Sequence, residues 1–290
     1  MDDNILRVNK INKSFQKFKL RDVSFSIKRG TIMGFVGRNG SGKTTTLKSI
    51  YGLLKVDNGQ ILYNEKELCL DEYKIKNEIG LLFGGIDYFP NKKVKILTDV
   101  SKRFYENWDQ KAYESWIKYF DIDENKRIRE LSNGMKVKYN LAIALSHNAK
   151  LLLLDEPTSG LDPISRDEIL DIFRKIVEKY NTTILFSTHV ISDLDKVADD
   201  ITYIKNGEII YTGEIDKFKQ NYFKINGNVG DINDELINLI GHYRTKNNQF
   251  EGTILLKDAS KFNKFKLSEA TLEDIILHIE RGEQDEKSPL

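Results

Sequence analysis

Eight consecutive residues, Gly37-Arg38-Asn39-Gly40-Ser41-Gly42-Lys43-Thr44, constrain this chain more than any other stretch. They satisfy GxxxxGK[ST] in full, after an apolar strand predicted over 31–36 and before a helix predicted over 44–51. The glycines let the backbone curl so that successive N–H groups point inward, and the positive end of the helix dipole adds to that concave array. Together they suit phosphate oxygens. Lys43 then neutralises the β and γ phosphates and the Thr44 hydroxyl reaches Mg²⁺, with Asn39, Ser41 and Thr45 completing the candidate binding run. A Gly-rich turn with a merely solvated lysine has no reason to show residue types, spacing and context together.

A second chemical signal is local too. The run Leu151-Leu152-Leu153-Leu154-Asp155-Glu156 reads as a buried strand ending in two acids, the place where a parallel α/β sheet puts its ligands. Asp155 suits Mg²⁺, and Glu156, pointing elsewhere, suits polarising the water that attacks a γ phosphate. Alone, such a pair is a helix cap or a solvated turn; beside an intact phosphate loop the catalytic reading prevails.

The rest of the chain supplies the matching frame. Alternation over 5–27, with Val23, Phe25 and Ile27 on one side, predicts an antiparallel hairpin system, and 57–59 a turn before a strand at 60–63. Residues 99–147 are helix-like, with Trp108, Tyr113, Trp116, Ile117 and Phe120 at helical spacings. Helix at 165–180, strand at 183–187 and helix at 190–197 follow. Such alternation predicts an α/β fold with a mostly parallel sheet covered on both faces. After Gly213 the texture turns to Lys, Asn and Gly, with a closing amphipathic helix at 272–279 and a polar end at 280–290 expected to fray. The division expected is an ATPase domain over 1–215, with a helical subdomain at about 86–147, and a small α+β accessory domain over 216–290.

Composition removes several classes. The 45 Lys+Arg nearly cancel 44 Asp+Glu, so no global field draws the chain to nucleic acid or to an anionic membrane. The longest apolar runs fall far short of the roughly 20 residues a spanning helix needs. The opening Met1-Asp2-Asp3-Asn4 lacks signal-peptide character and Cys69 is the only cysteine, which fits a reducing cytoplasm.

Over residues 5–212 the sequence resembles the nucleotide-binding subunit of an ABC transporter, through Leu131-Ser132-Asn133-Gly134-Met135, similar to the LSGGQ signature and placed upstream of the carboxylate strand. The resemblance implies a P-loop NTPase fold, ATP with Mg²⁺, and a head-to-tail dimer in which Ser132 and the Gly134 N–H cover the γ phosphate held by the opposite subunit. It also implies that Ser159-Gly160-Leu161-Asp162 is the loop meeting that subunit. His189 would sense the γ phosphate and hold Glu156 and the water. Phe15 would stack on adenine. Residue chemistry alone leaves Ser132 as a helix cap, His189 as a structural hydrogen bonder and Phe15 as a core residue of the hairpin sheet.

Two departures from the family stand out. Leu82-Phe83-Gly84-Gly85-Ile86 replaces the usual glutamine with glycines that have no side chain for Mg²⁺ or water, and the signature carries Asn133 and Met135. Without a span of its own, the chain needs a separate transmembrane permease, and 86–95, with Tyr88, Phe89 and Pro90, lies where family members receive it. The expected location is the cytoplasm, peripheral to the inner face of the cell membrane. The runs 104–109 and 271–277 resemble bacterial export subunits of the multidrug and antimicrobial-peptide type, among them ATPases of staphylococcal exporters for phenol-soluble modulins. Rival readings are a soluble ABC ATPase acting on ribosomes, a coiled-coil DNA-repair ATPase and a nucleotide-dependent regulatory module. Only one phosphate loop and no sustained heptads are seen.

Overall fold

The computed structural model describes residues 3–68, 73–83 and 89–281. It divides into two compact units, Met1–Thr212 and Gly213–Leu290. The first begins with strands β1 (Asn4–Ser14) and β2 (Lys19–Lys28), then β3 (Ile32–Val36), helix α1 (Lys43–Ile50), β4 (Asn58–Tyr63), β5 (Lys66–Glu67), α2 (Tyr73–Lys76) and β6 (Ile79–Phe83). Helices α3 (Val94–Ser101), α4 (Gln110–Tyr119) and α5 (Asn133–Ser146) follow, then β7 (Leu151–Asp155), α6 (Pro163–Tyr180), β8 (Thr183–Thr188), α7 (Ile191–Val197), β9 (Asp200–Lys205) and β10 (Glu208–Glu214).

Two sheets form. One is antiparallel in the order β2-β1-β4-β5, and Val23, Phe25 and Ile27 are all buried, as their alternation predicts. The other has six strands in the order β10-β9-β3-β8-β7-β6, with β3 parallel to β8 and β9, and β7 parallel to β8 and β6. β3, β7 and β8 are buried apolar runs because both sheet faces are covered. Ile5, Phe25, Leu47, Ile61, Leu153 and Leu185 belong to one core cluster that joins the antiparallel sheet and α1 to one face. On the other, Phe173 of α6 packs on Phe186 of β8 with ring centroids 5.7 Å apart.

The helical reading of 99–147 needs correction in detail. The segment starts earlier, at Val94, and Trp108 precedes α4 instead of lying on it, because Asp109 caps that helix by accepting from the Ala112 N–H at 3.0 Å.

The second unit contains α8 (Ile215–Lys219), β11 (Tyr222–Asn228), α9 (Asp234–Ile237), β12 (Gly241–Lys246), β13 (Gln249–Leu255), β14 (Lys266–Glu269) and α10 (Leu272–Arg281). Its strands form an antiparallel sheet ordered β12-β13-β11-β14 around Ile225, Ile240, Phe250, Ile254 and Phe262. The closing residues 282–290 lie outside the described residues.

Candidate active site

β3 delivers the chain into the glycine-rich loop and α1 carries it away. A Cβ at Gly37 would lie 2.3 Å from the Ile204 carbonyl oxygen and 2.5 Å from Ser41 Oγ, so a side chain there would force the loop off β9. Gly42 caps α1 at φ 116, a left-handed conformation open to glycine. Lys43 is buried, with Nζ donating to the Gly37 carbonyl at 2.8 Å and lying 3.3 Å from Glu156 Oε1; its charge is turned into the loop and not toward solvent. Asn39 and Gly40 form the exposed lip, Thr44 is exposed and Thr45 half-buried. Ser41 is buried and its hydroxyl has no partner. Leaving such a group unsatisfied costs about 1–3 kcal/mol, which a phosphate oxygen in the loop would offset.

The two acids leave β7 in different directions. Asp155 is the last strand residue, in register with Ser187 of β8 and Phe83 of β6. Its carboxylate accepts from Thr44 Oγ1 at 2.8 Å and Ser187 Oγ at 2.7 Å, and the Ser187 oxygen accepts from the Glu156 N–H at 2.9 Å. Glu156 has φ 52, which swings its side chain off the strand line. Oε2 then meets His189 Nδ1 at 2.6 Å while Oε1 faces Lys43. His189 is 46 % exposed on its side chain against 25 % for Glu156, so this end of the site opens to water. The Thr44 hydroxyl and Asp155 carboxylate are hard oxygen donors held side by side, a set that fits Mg²⁺ shared with phosphates.

A second group of residues sits around the start of α5 and α6. Ser132 caps α5, its Oγ accepting from the Met135 N–H at 3.2 Å. A capping hydroxyl keeps its own O–H free to donate, so the cap is compatible with an anion contact. Gly134 is buried, and a Cβ there would lie 3.6 Å from Ser165 Cβ. Asp162 caps α6, accepting from the Ile164 and Ser165 N–H groups at 3.0 Å each. Hydrogen bonds from the Ser165 hydroxyl and amide hold its carboxyl below the usual carboxylate range. Phe15 follows β1, 43 % exposed, with the Phe18 ring at 6.4 Å. That exposure removes the core reading of Phe15.

Three residues of the site were not singled out by sequence reasoning: Ser187, Thr158 and Asp193. One signal does reach Ser187. Counting from Leu151 and Thr183, the paired starts of parallel strands, Asp155 and Ser187 are both fifth and so lie side by side. Gly84, Gly85, Ile86 and Tyr88 lie outside the described residues. Phe89 is 58 % exposed and, with Leu81, Val100 and Ile143, lines a cavity of about 270 Å³. A larger cleft of about 1030 Å³ beside Trp108, Trp116 and Tyr180 contains none of the catalytic candidates.

Known proteins share the family and the fold of this chain. The sequence profile of the ABC transporter family matches residues 20–159. The chain is 36 % identical over 232 residues to the uncharacterized ABC transporter ATP-binding protein YxlF of Bacillus subtilis, spanning 74 % of this chain and 73 % of that one. It is 28 % identical over 219 residues to the bacitracin transport ATP-binding protein BcrA of Bacillus licheniformis, spanning 74 % and 72 %. Among solved structures it is similar to cbiO1 of Clostridium perfringens, part of the ABC transporter complex cbiONQ. The TM-score is 0.65 at 27 % identity, covering 75 % of this chain and 91 % of that one.

Proposed function

Because this chain belongs to the family of ABC transporter ATP-binding subunits and is an ATP hydrolase, we propose that it powers export of amphipathic or antimicrobial peptides through a separate membrane subunit. The observation that carries the hydrolytic part is the placement of Glu156 between His189 at 2.6 Å and Lys43 at 3.3 Å, beside an Asp155 fixed by Thr44 and Ser187. The cargo reading is supported by the likeness to a bacitracin transport protein.

The triphosphate lies along the loop from Gly37 to Gly42, with Lys43 against its β and γ phosphates and the buried Ser41 hydroxyl as a further partner. Thr44 and Asp155 would hold Mg²⁺, which would supply neutralising charge to the phosphate oxygens. Glu156 takes a proton from the attacking water while His189 holds that carboxylate in place. Phe15 offers its exposed ring to the adenine. The exposed edge at His189 is closed by a second subunit whose Ser132 and Gly134 reach the γ phosphate, with 159–162 lining the contact, so loss of that phosphate weakens the pair. No helix among the described residues is long and apolar enough to cross a membrane. Permease docking is accordingly assigned to the exposed Phe89 and Val100, and the subunit works at the inner face of the cell membrane.

Glu156→Gln tests the reading: it should bind ATP as the parent does and turn over at least about 100-fold more slowly. Turnover at the parental rate would remove Glu156 as the base.

A further inference from the structure

Beneath the Glu156–His189 contact lies a second link between the same two segments. Thr158, two residues beyond Glu156, donates from Oγ1 to Asp193 Oδ2 at 2.7 Å, and Asp193 stands in the first turn of α7, four residues beyond His189. Both residues are 1 % exposed. The loop between them and α6 is a chain of tight turns, with the Ser159 N–H donating to the Glu156 carbonyl at 3.1 Å and the Leu161 N–H to the Thr158 carbonyl at 3.3 Å. The Asp193 N–H donates to the Val190 carbonyl at 3.2 Å, tying the backbone that carries this carboxylate to the residue just after His189.

The two links differ in kind. Glu156 and His189 meet where water competes, and an exposed pair of this sort is worth little on its own. Thr158–Asp193 is charge-assisted and closed off from water, where such bonds are shorter, stronger and more costly to break. The buried link therefore sets the separation of the two segments, and the exposed link follows from it. We infer that Thr158 and Asp193 are a positioning pair for the hydrolytic step, holding His189 in register with Glu156 when ATP displaces Glu156 from Lys43. This rests on the hydrolytic reading given above. Both residues are buried and act through Glu156 and His189. The same turns lead from Thr158 to Asp162, so the pair also ties the subunit-facing loop to the segment carrying His189.

The test compares Thr158→Val, which keeps the shape and removes the hydroxyl, with Thr158→Ser, which keeps the hydroxyl, in steady-state ATP hydrolysis by the full chain. A displacement of about 1 Å at a reacting centre costs up to about 100-fold, so Thr158→Val should lower kcat about 10- to 100-fold with KM for ATP within about twofold, and Thr158→Ser should recover most of the rate. Adding Asp193→Ala to Thr158→Val should lower kcat no further than the worse single change, because both remove one bond. The inference fails if kcat of Thr158→Val stays within about twofold of the parent, or if Thr158→Ser is as impaired as Thr158→Val. If the parent turns over and Glu156→Gln does not, that failure leaves the proposed function standing; if the parent itself does not hydrolyse ATP, both fall.

Discussion

Both units of this chain use left-handed backbone in hairpin turns, but the first also uses it at a candidate catalytic carboxylate. In the unit after Gly213, Asn247 and Asn248 adopt φ of 51 and 62 between β12 and β13, the ordinary means by which a two-residue hairpin turn is made. In the first unit a left-handed residue is Glu156, an acid with no turn-forming advantage, at the end of a buried strand and beside a buried lysine. Positive φ on an asparagine reports a turn. On a carboxylate at a strand terminus it reports a side chain being aimed, at a strain cost of order 1–3 kcal/mol that the surrounding hydrogen bonds must offset. Polar burial shows the same contrast. Lys43 and Asp193 are buried with partners at the candidate site, whereas Thr253 and Asp258 of the second unit are buried beside a core of five apolar residues, in a unit that holds none of the candidate site residues.

That contrast can be broken experimentally. The largest effect is expected from Lys43→Ala, which removes a cation turned into the glycine loop: nucleotide binding followed by calorimetry should vanish, and unchanged affinity would refute the loop assignment. Next is Phe250→Ala, which cuts the centre out of the small core and should destabilise the second unit by about 3–5 kcal/mol. Hydrogen exchange should accelerate over 222–269 and stay protected over 151–188; loss of protection in both would show that the units do not hold separately. A smaller effect concerns His147, buried on the first unit with Nδ1 at 2.8 Å from the Asn77 carbonyl and its ring stacked 3.8 Å from Tyr105. Burial pushes its imidazole down to about 4. Folding therefore favours the neutral ring, and the unfolded chain takes up the proton first as pH falls. The stability it contributes is complete above about pH 6.5 and is lost on the way to pH 4, the loss reaching about 2 kcal/mol by pH 5. Urea midpoints at pH 7 and pH 5 should separate by more in the parent than in His147→Gln; equal separation would remove His147 as the cause.

What could be read from the sequence was whatever chemistry is contiguous. The glycine loop, Lys43, Thr44 and the strand ending at Asp155 are short-range patterns, and each lies where its spacing predicts. Residues joined across the fold were harder. His189 and Glu156 are 33 positions apart, and their pairing followed from family resemblance, since a lone histidine after a strand has many uses. Ser187 carries no signal in its own residue type; its role depends on strand register. Thr158 and Asp193 escaped because a threonine beside a proline and an acid in a helix turn both read as surface residues, while the fold buries them together. In the second unit the alternation was weak because the sheet is only half covered: β12 shows no fully buried residue and β11 only Ile225. Trp108 misled for a local reason, its apolar character continuing a periodicity that the Asp109 cap had not yet begun.

The 3.3 Å approach of Lys43 to Glu156 has a further consequence. The ammonium group already has an anionic tenant, so an incoming ligand must evict a resident carboxylate before it can occupy the seat. A triphosphate, with its denser charge, is a stronger claimant than a diphosphate. On the proposed hydrolytic reading, eviction also releases the acid toward the attacking water. On that reading, seating of the substrate and release of Glu156 become one exchange.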